Sequence, residues 1–205
     1  MILKRMEVGS FAANCYLLAC DETKEGVVVD PGADAKRIIK MVEDAQVTVK
    51  YIINTHGHVD HVGANEEVRQ AFGVPILIHE ADAEMCKNPH ASLSTFIGKK
   101  QLAEPDQQFK GGDAFTVGNL TIEVIETPGH TKGSVTLLVD GKLFSGDTLF
   151  SGSIGRTDLP GGSFDEIISS IKEKLLVFPD DTQVYPGHGP ETSIASEKQY
   201  NPFLR

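Results

Sequence analysis

The stretch Thr55–Gly63, which reads THGHVDHVG, determines how the rest of the chain is interpreted. It places three imidazoles and one carboxylate within six residues, at His56, His58, Asp60 and His61. The apolar run at residues 51–54 is typical of the end of a buried strand, and residues 64–72 predict a helix. The stretch therefore lies on a strand-to-helix loop, where a rigid scaffold can present functional side chains.

Imidazole and carboxylate groups are the usual protein ligands of zinc, iron and manganese. A helical metal site would space its ligands four residues apart. His56 and His58 instead alternate as on an extended chain, and Asp60 and His61 then turn toward a neighbouring point. This spacing suits two adjacent metals. A solvated, histidine-rich turn is the simpler interpretation, but such turns rarely follow a buried apolar strand.

Three further polar residues share one local context. His130, Asp147 and His188 each follow an apolar strand and stand beside a glycine. Glycine allows close backbone approach where a ligand must point inward. Together with the first cluster they make five histidines and two aspartates, a number that fits two metals with a bridging carboxylate.

The composition limits the functional class. The chain has 205 residues, 40% of them hydrophobic, which is enough for one domain spanning residues 1–205. A net charge of −10 argues against nucleic acid or an anionic membrane as partner. We therefore expect a small-molecule substrate, while the oligomeric state stays open.

The cellular compartment of the protein is inferred from its cysteines and from the lack of long apolar stretches. Cys15, Cys20 and Cys86 are scattered and odd in number, which favours reduced thiols. No stretch reaches the roughly 18 apolar residues of a membrane helix, and the N-terminus has no signal-peptide pattern. We expect a cytoplasmic protein.

Apolar periodicity predicts two packed sheets with helices outside, an α/β architecture. The predicted strands are 2–8, 14–20, 27–30, 49–54, 75–78, 113–117, 120–126, 135–139, 142–145 and 182–185. The predicted helices are 34–46 with Asp34 as cap, 64–72, 81–87, one opened by the capping box at residues 163–166, and one from about 192. Residues 88–112 are interpreted as a lid-like excursion and residues 150–162 as loop.

The motifs taken together resemble the metallo-β-lactamase fold superfamily. The matching residues are Thr55–His61, His130, Asp147 and His188 in that order, with Asn14–Leu17 and Val29–Gly32 also similar. The resemblance implies an αββα sandwich with the site at one edge. It implies that His56, His58 and His130 hold one divalent metal, that Asp60, His61 and His188 hold a second, and that Asp147 bridges them. Zinc is the metal expected first, with iron or manganese as alternatives.

Within the superfamily the chain is most similar to the glyoxalase II-like hydroxyacylglutathione hydrolases. The similar segments are Pro128–Thr131, Ser145–Phe150 and Asn201–Arg205. Flavodiiron-type reductases have Glu where His58 stands, zinc β-lactamases lack a bridging Asp at the position of Asp147, and nuclease branches need a basic track. These three branches are therefore disfavoured.

Two departures weaken the expected recognition of glutathione. The chain stops at Arg205, without the helical C-terminal domain that carries basic glutathione contacts in longer members. The loop Gly155–Gly162 replaces a lysine- and tyrosine-bearing loop. Its Gly-Arg-Thr-Asp sequence also resembles persulfide dioxygenases, which would use a single iron on His56, His130 and Asp147, and this activity is kept as the alternative.

The resemblance implies hydrolysis of thioesters such as S-lactoylglutathione to a hydroxy acid and a free thiol. A metal-bridging hydroxide would attack, and Asp60 would orient it. A catalytically silent metal-binding module is the third possibility, which the complete ligand set disfavours. Arg156 either binds a substrate carboxylate or pairs with Asp158 to fix its loop, and both interpretations stay open.

The remaining polar candidates are given no role in the site. His79 and His90 are interpreted as non-ligands. Four lysines, Lys99, Lys100, Lys172 and Lys174, are interpreted as solvated charges.

Overall fold

A computed structural model describes residues 1–98 and 102–205 of the chain. Lys99 and Lys100, predicted to be solvated, lie outside these ranges. Two six-stranded sheets form the centre of the described structure. The first contains β1 (Ile2–Val8), β2 (Ala13–Ala19), β3 (Glu25–Val29), β4 (Thr48–Ile53), β5 (Ile76–His79) and β6 (Gln107–Phe109). The second contains β7 (Ala114–Val117), β8 (Leu120–Glu126), β9 (Val135–Val139), β10 (Lys142–Gly146), β13 (Gln183–Pro186) and β14 (Thr192–Ser193). A separate two-stranded hairpin pairs β11 (Leu149–Phe150) with β12 (Ser153–Ile154).

Within the described residues, five α-helices and three short helical turns connect the strands. The helices are α1 (Ala35–Asp44), α2 (Val59–Val62), α3 (Asn65–Phe72), α4 (Phe164–Ser170) and α5 (Ile194–Tyr200). The turns are 3-10 segments at Ala83–Lys87 and Ser94–Ile97 and a π turn at Ile171–Leu175. No helix of the described residues is long and apolar enough to cross a membrane.

Strand direction brings functional loops to one edge. In the first sheet, β3, β4, β5 and β6 run parallel, so their carboxyl ends lie side by side. In the second sheet, β10 and β13 are the parallel pair, and Gly146 is paired with Pro186. Because ligand loops of open α/β sheets lie outside the carboxyl ends of strands, the residues after these strands can meet.

The packing forms four layers. Side chains between the two sheets form one cluster, in which Leu18 and Ile53 of the first sheet share the core with Ile122 and Leu137 of the second. Outside the first sheet, Ile38 and Val42 of α1 and Val68 of α3 cover β2, β3 and β4. Outside the second sheet, residues of α4, the π turn and α5 cover β10 and β13. The order helix, sheet, sheet, helix confirms the predicted αββα sandwich.

Most predicted elements are present, with boundaries shifted by one or two residues. The Asp140-Gly141 hairpin is confirmed, and both residues have positive φ, 49° and 70°, as a type I′ turn requires. The capping box is confirmed on one side, since Oγ of Ser163 accepts a hydrogen bond from the Glu166 amide at 3.3 Å. Cys15, Cys20 and Cys86 are free thiols, and all three are buried.

Several local predictions were wrong. Asp34 does not cap α1 with its side chain, because its own backbone is left-handed, φ 54°, and its carboxylate accepts from Gly9 and Arg37 instead. Residues 88–112 contain β6, which extends the first sheet, and residues 150–162 contain β12. Lys174 is not merely solvated, since its ammonium donates to the Glu126 carbonyl at 2.8 Å.

Candidate metal centre

The seven side chains predicted as metal ligands lie together at one edge of the sandwich. Their donor atoms form three groups, each with all atoms within 4.8 Å of one another. The groups are His56 with His58 and His130, His56 with His61 and Asp147, and Asp60 with His61 and His188. Asp60 and His61 stand on the short helix α2 and not on a plain loop, which turns both side chains back toward His56.

Hydrogen bonds orient three imidazole rings. Nδ1 of His61 donates to Oδ2 of Asp30 at 3.1 Å, and Nδ1 of His130 donates to the carbonyl of Arg156 at 2.7 Å. Oγ1 of Thr55 donates to Asp30 at 2.6 Å and therefore accepts from Nδ1 of His56 at 3.2 Å. In a neutral ring the opposite nitrogen, Nε2, then carries a lone pair directed into the site.

The carboxylate of Asp147 lies between the groups. Its Oδ1 is 3.4 Å from Nε2 of His61, while its Oδ2 is 3.5 Å from Nε2 of His130 and 3.6 Å from Nε2 of His188. The positions of these atoms place one carboxylate against both the His130 side and the His188 side of the site.

The electrostatics of the site favour a positive charge. Burial opposes a charged ring at His61, but the carboxylates of Asp147 and Asp60 outweigh it and raise the pKa of His61 well above its usual value. The same balance, with Asp60 as the main partner, raises the pKa of His188. Burial alone would raise the pKa of Asp60, yet His61 and His188 hold it well below its usual value.

On the other side of the site, His56 and His58 have lowered pKa values. Burial, followed by the neighbouring rings of His61, His130 and His58, lowers the pKa of His56 well below its usual value. Burial and His130 lower the pKa of His58 to about 3. A neutral imidazole is the form that binds a metal ion.

The donor set fits divalent metals. Nε2 of His56 and Oδ1 of Asp147 are buried and have no hydrogen-bond partner, and Nδ1 of His58 lies 2.9 Å from Nε2 of His130. Buried polar atoms without a partner are costly, and their convergence in one place calls for a ligand that accepts several lone pairs at once. A divalent cation is such a ligand.

Two acidic residues outside the ligand set brace the site. Asp30 accepts from the amide and the hydroxyl of Thr55 as well as from His61. Asp82 is buried and joins the two loops that carry His56 and His130, by accepting from the amide of Gly57 at 2.9 Å and from the amide of Gly133 at 2.7 Å. Burial raises the pKa of this carboxyl above its usual value, although three donors, including the hydroxyl of Thr131, counteract that effect.

Sequence reasoning missed Asp82. A signal was present, because the residue comes three positions after β5, whose carboxyl end lies beside that of β4. Because residues 81–87 were predicted to form a helix, Asp82 was not considered as a residue that follows the end of a strand. His79 and His90 are in none of the three donor groups, and Nε2 of His79 lies 3.1 Å from Glu126.

The loop that carries His188 is tied to β2 of the other sheet. Nδ2 of Asn14 donates to the carbonyls of Pro186 and Gly189, both at 2.9 Å. The hydroxyl of Tyr16 donates to Pro186 at 2.6 Å. These bonds join the segment Asn14–Leu17, which resembles the superfamily in sequence, to the loop that carries His188.

A cavity of about 550 Å³ opens from the metal groups to the surface. His58, Asp60, His130, Asp147 and His188 form its floor. Arg156 lies on its wall, and its guanidinium forms two hydrogen bonds with Asp158, at 2.7 and 2.8 Å. The loop-fixing interpretation of Arg156 is therefore the one present in this structure, while the side chain remains exposed beside the cavity.

A family model described as the metallo-beta-lactamase superfamily matches residues 8–188. This chain belongs to that superfamily. Hydroxyacylglutathione hydrolase GloC of Haemophilus influenzae is 37% identical over 209 residues, which cover 100% of this chain and 98% of the relative.

Two solved structures are similar over nearly the whole chain. The BLEG-1 B3 metallo-beta-lactamase has a TM-score of 0.93 and 38% identity, with 99% of each chain covered. TTHA1623, solved in a di-iron-bound form, has a TM-score of 0.86 and 31% identity, with 98% of this chain and 100% of that chain covered.

The comparisons confirm the predicted superfamily and fold. They support a metal-dependent hydrolase, in agreement with the His and Asp cluster.

Proposed function

We propose that the protein is a binuclear metal-dependent hydrolase of thioesters such as S-lactoylglutathione. One observation carries the proposal: the carboxylate of Asp147 faces His61 with one oxygen and His130 with the other, as a carboxylate shared by two metals would. The likeness to GloC supports the substrate class.

His56, His58 and His130 would hold one metal, Asp60, His61 and His188 the second, and Asp147 would bridge. Such a pair supplies a hydroxide near neutral pH and polarises the carbonyl of the substrate. Zinc is the first candidate for both positions, and the di-iron form of TTHA1623 makes iron the second.

The chain's own groups orient the reactants. The carboxylate of Asp60 lines the cavity floor and can accept a hydrogen bond from the attacking oxygen, which fixes its direction toward the carbonyl carbon. Asp30 holds the His61 ring, and the carbonyl of Arg156 holds the His130 ring, so that both keep their orientation as charge develops. A thiolate is a good leaving group, so the reaction needs no strong general acid.

The test is thiol release from S-lactoylglutathione by metal-replete protein, measured together with the metals bound per chain. We expect two metals per chain and turnover that a chelator abolishes and added zinc or iron restores. One tightly bound iron, with oxygen consumption on glutathione persulfide far above any thioester cleavage, would establish the dioxygenase alternative.

β-Lactam hydrolysis is a second candidate, favoured by the 38% identity to the BLEG-1 B3 metallo-beta-lactamase. Asp147 argues against β-lactam hydrolysis, because zinc β-lactamases lack a bridging aspartate at its position. A chromogenic cephalosporin assayed on the same metal-loaded preparation distinguishes the two candidates. Cephalosporin cleavage exceeding thioester cleavage at equal substrate concentration would replace the thioesterase proposal.

A further inference from the structure

The cavity above the metal groups has a mostly apolar wall. Half of its fourteen described lining residues are apolar, among them Phe11, Leu93, Phe96 and Ile154. Phe11 is 49% exposed and Phe96 is 76% exposed. A cluster of large apolar side chains at a concave site indicates a binding surface for an apolar group of a ligand.

The structure holds this wall in place from two sides. Leu93 packs against the buried cluster of Val59, Val62, Cys86 and Leu102, and the Val59 amide donates to the carbonyl of the preceding Ser92 at 2.8 Å. The hairpin that carries Ile154 is fixed by Asn201, which donates to the Ser153 carbonyl at 3.0 Å, and by Glu197, which accepts from the Gly152 amide at 3.0 Å.

The polar part of the lining is small. Apart from the residues of the metal groups, its described polar side chains are Ser153 and Arg156, and Arg156 is paired with Asp158. The whole chain carries a net charge of −10. Arg156 is therefore the one described lining residue outside the metal groups that could bind a carboxylate of the thiol carrier, whereas the apolar lining residues can bind an acyl group that consists entirely of hydrocarbon.

We propose that the cavity selects thioesters with an aliphatic acyl chain, which binds against Phe11, Leu93, Phe96 and Ile154. This inference rests on the proposed thioesterase function and specifies its substrate class. In the reaction, water adds its oxygen to the carbonyl carbon, the carbon–sulfur bond breaks, and the thiolate takes up a proton. The products are a fatty or short aliphatic acid and the free thiol.

The test is a series of S-acylglutathiones with acetyl, butyryl, hexanoyl and lactoyl groups, assayed on the metal-loaded protein. We expect kcat/KM to rise by about fourfold for each methylene that enters the cavity, since burial of one methylene is worth about 0.8 kcal/mol. The hexanoyl ester should exceed the lactoyl ester. Affinity for the non-hydrolysable S-hexylglutathione should exceed that for S-methylglutathione by a similar factor per methylene, measured by calorimetry.

Two variants connect the effect to the wall. Phe96→Ala and Phe11→Ala should reduce the ratio of hexanoyl to acetyl kcat/KM, each by at least about fivefold, and should weaken S-hexylglutathione more than S-methylglutathione. Phe164→Ala is the matched control, because Phe164 is 52% exposed and is absent from the described lining of the cavity. Its ratio should equal that of the unchanged protein.

The outcomes separate the two proposals. If no thioester of any chain length is cleaved, the proposed function fails. If all acyl chains are cleaved equally, or if lengthening the thiol part raises kcat/KM instead, the function stands and the acyl assignment is overturned. If Phe96→Ala leaves the ratio unchanged but lowers the molecular mass measured by sedimentation, a second copy of the chain covers the wall, which also overturns the assignment.

Discussion

The carboxylate of Asp147 fills the space beside the Cα of Gly187 that any side chain there would need. A Cβ on Gly187 would overlap Oδ1 of Asp147 and lie 2.8 Å from the His61 ring. The Gly187 amide also donates to the Gly146 carbonyl at 2.7 Å, which brings the ends of β10 and β13 into contact. The glycine before His188 thus sets the position of the carboxylate that faces both metal groups.

Gly187→Ala should displace Asp147 and lower both the metal content and the turnover. A displacement of about 1 Å at a reacting group can cost about 100-fold in rate. The matched control is Gly73→Ala, where a Cβ meets no atom within 4 Å and only the left-handed backbone, φ 66°, is penalised. The control should lose some thermal stability and keep its metals. Equal metal loss in both variants would contradict the steric role of Gly187.

Asp82→Asn should weaken metal binding although Asp82 touches no predicted ligand. A carboxylate accepts hydrogen bonds with two oxygens, whereas the Asn side chain has one accepting oxygen and one NH₂ group. At least one of the three donors to Asp82, which are the Gly57 amide, the Gly133 amide and the Thr131 hydroxyl, would therefore face that NH₂ group. Loss of such an outer partner typically costs about 10- to 100-fold in metal affinity. Competition with a chromophoric chelator measures it. The exposed Asp181→Asn should show no change, and an unchanged affinity in Asp82→Asn would limit Asp82 to a role in folding.

His188→Ala should impair one metal position more than the other. His188 belongs to one donor group and its side chain is 27% exposed, while His56 belongs to two groups and is buried. Titration with cobalt, followed by its absorption spectrum, should show one intact position in His188→Ala. His56→Ala should instead impair the position formed by His56, His58 and His130. If His188→Ala lost both, the two positions would not be independent.

Arg156→Ala should raise KM for S-lactoylglutathione and leave the metal content unchanged. The bond that orients His130 is to the backbone carbonyl of Arg156, which the substitution keeps. A charged hydrogen bond to substrate is worth about 1.5–3 kcal/mol, which sets an upper limit of about 10- to 150-fold on the fall in kcat/KM, because forming that bond breaks the exposed pair with Asp158.

Asp158→Asn provides the contrasting variant for Arg156. It removes the negative partner and frees the guanidinium, so KM should fall if Arg156 binds a substrate carboxylate. If Asp158→Asn raises KM as much as Arg156→Ala does, the pair serves to fix the loop.

Metal uptake by the metal-free protein should release protons near neutral pH. The carboxylates raise the pKa of His61 and His188, so in the metal-free protein these rings hold protons to a higher pH than free histidine does. Those protons must leave before the nitrogens can bind a metal, so the apparent affinity should increase with pH until the raised pKa values are passed. Calorimetry in buffers of different ionisation enthalpy counts the protons. Uptake without proton release would contradict the assignment of His61 and His188 as ligands.

Local patterns accounted for most of the strands and helices. Apolar runs predicted β1 to β5 and β7 to β10, because a strand with one buried face alternates with a period of two, while a strand covered on both faces, such as β2 or β5, is apolar throughout. The boundary errors have local causes as well, such as the left-handed backbone of Gln46, φ 54°, which lies beyond the end of α1 at Asp44. The short strand β6 was missed because its three residues carry too little apolar signal, with Phe109 as the single buried one.

The sequence by itself determined the superfamily and fold and singled out the seven predicted ligand residues, because those depend on residue type, order and local spacing. Tertiary structure decided that His130, Asp147 and His188 meet the His56 stretch, that Asp82 joins two loops, and that the loop of Arg156 lies beside an apolar wall. These relationships join segments that are far apart in the chain or on different elements. They depend on how parallel strands of two sheets are placed by the packing of the whole core, and no local periodicity encodes that placement.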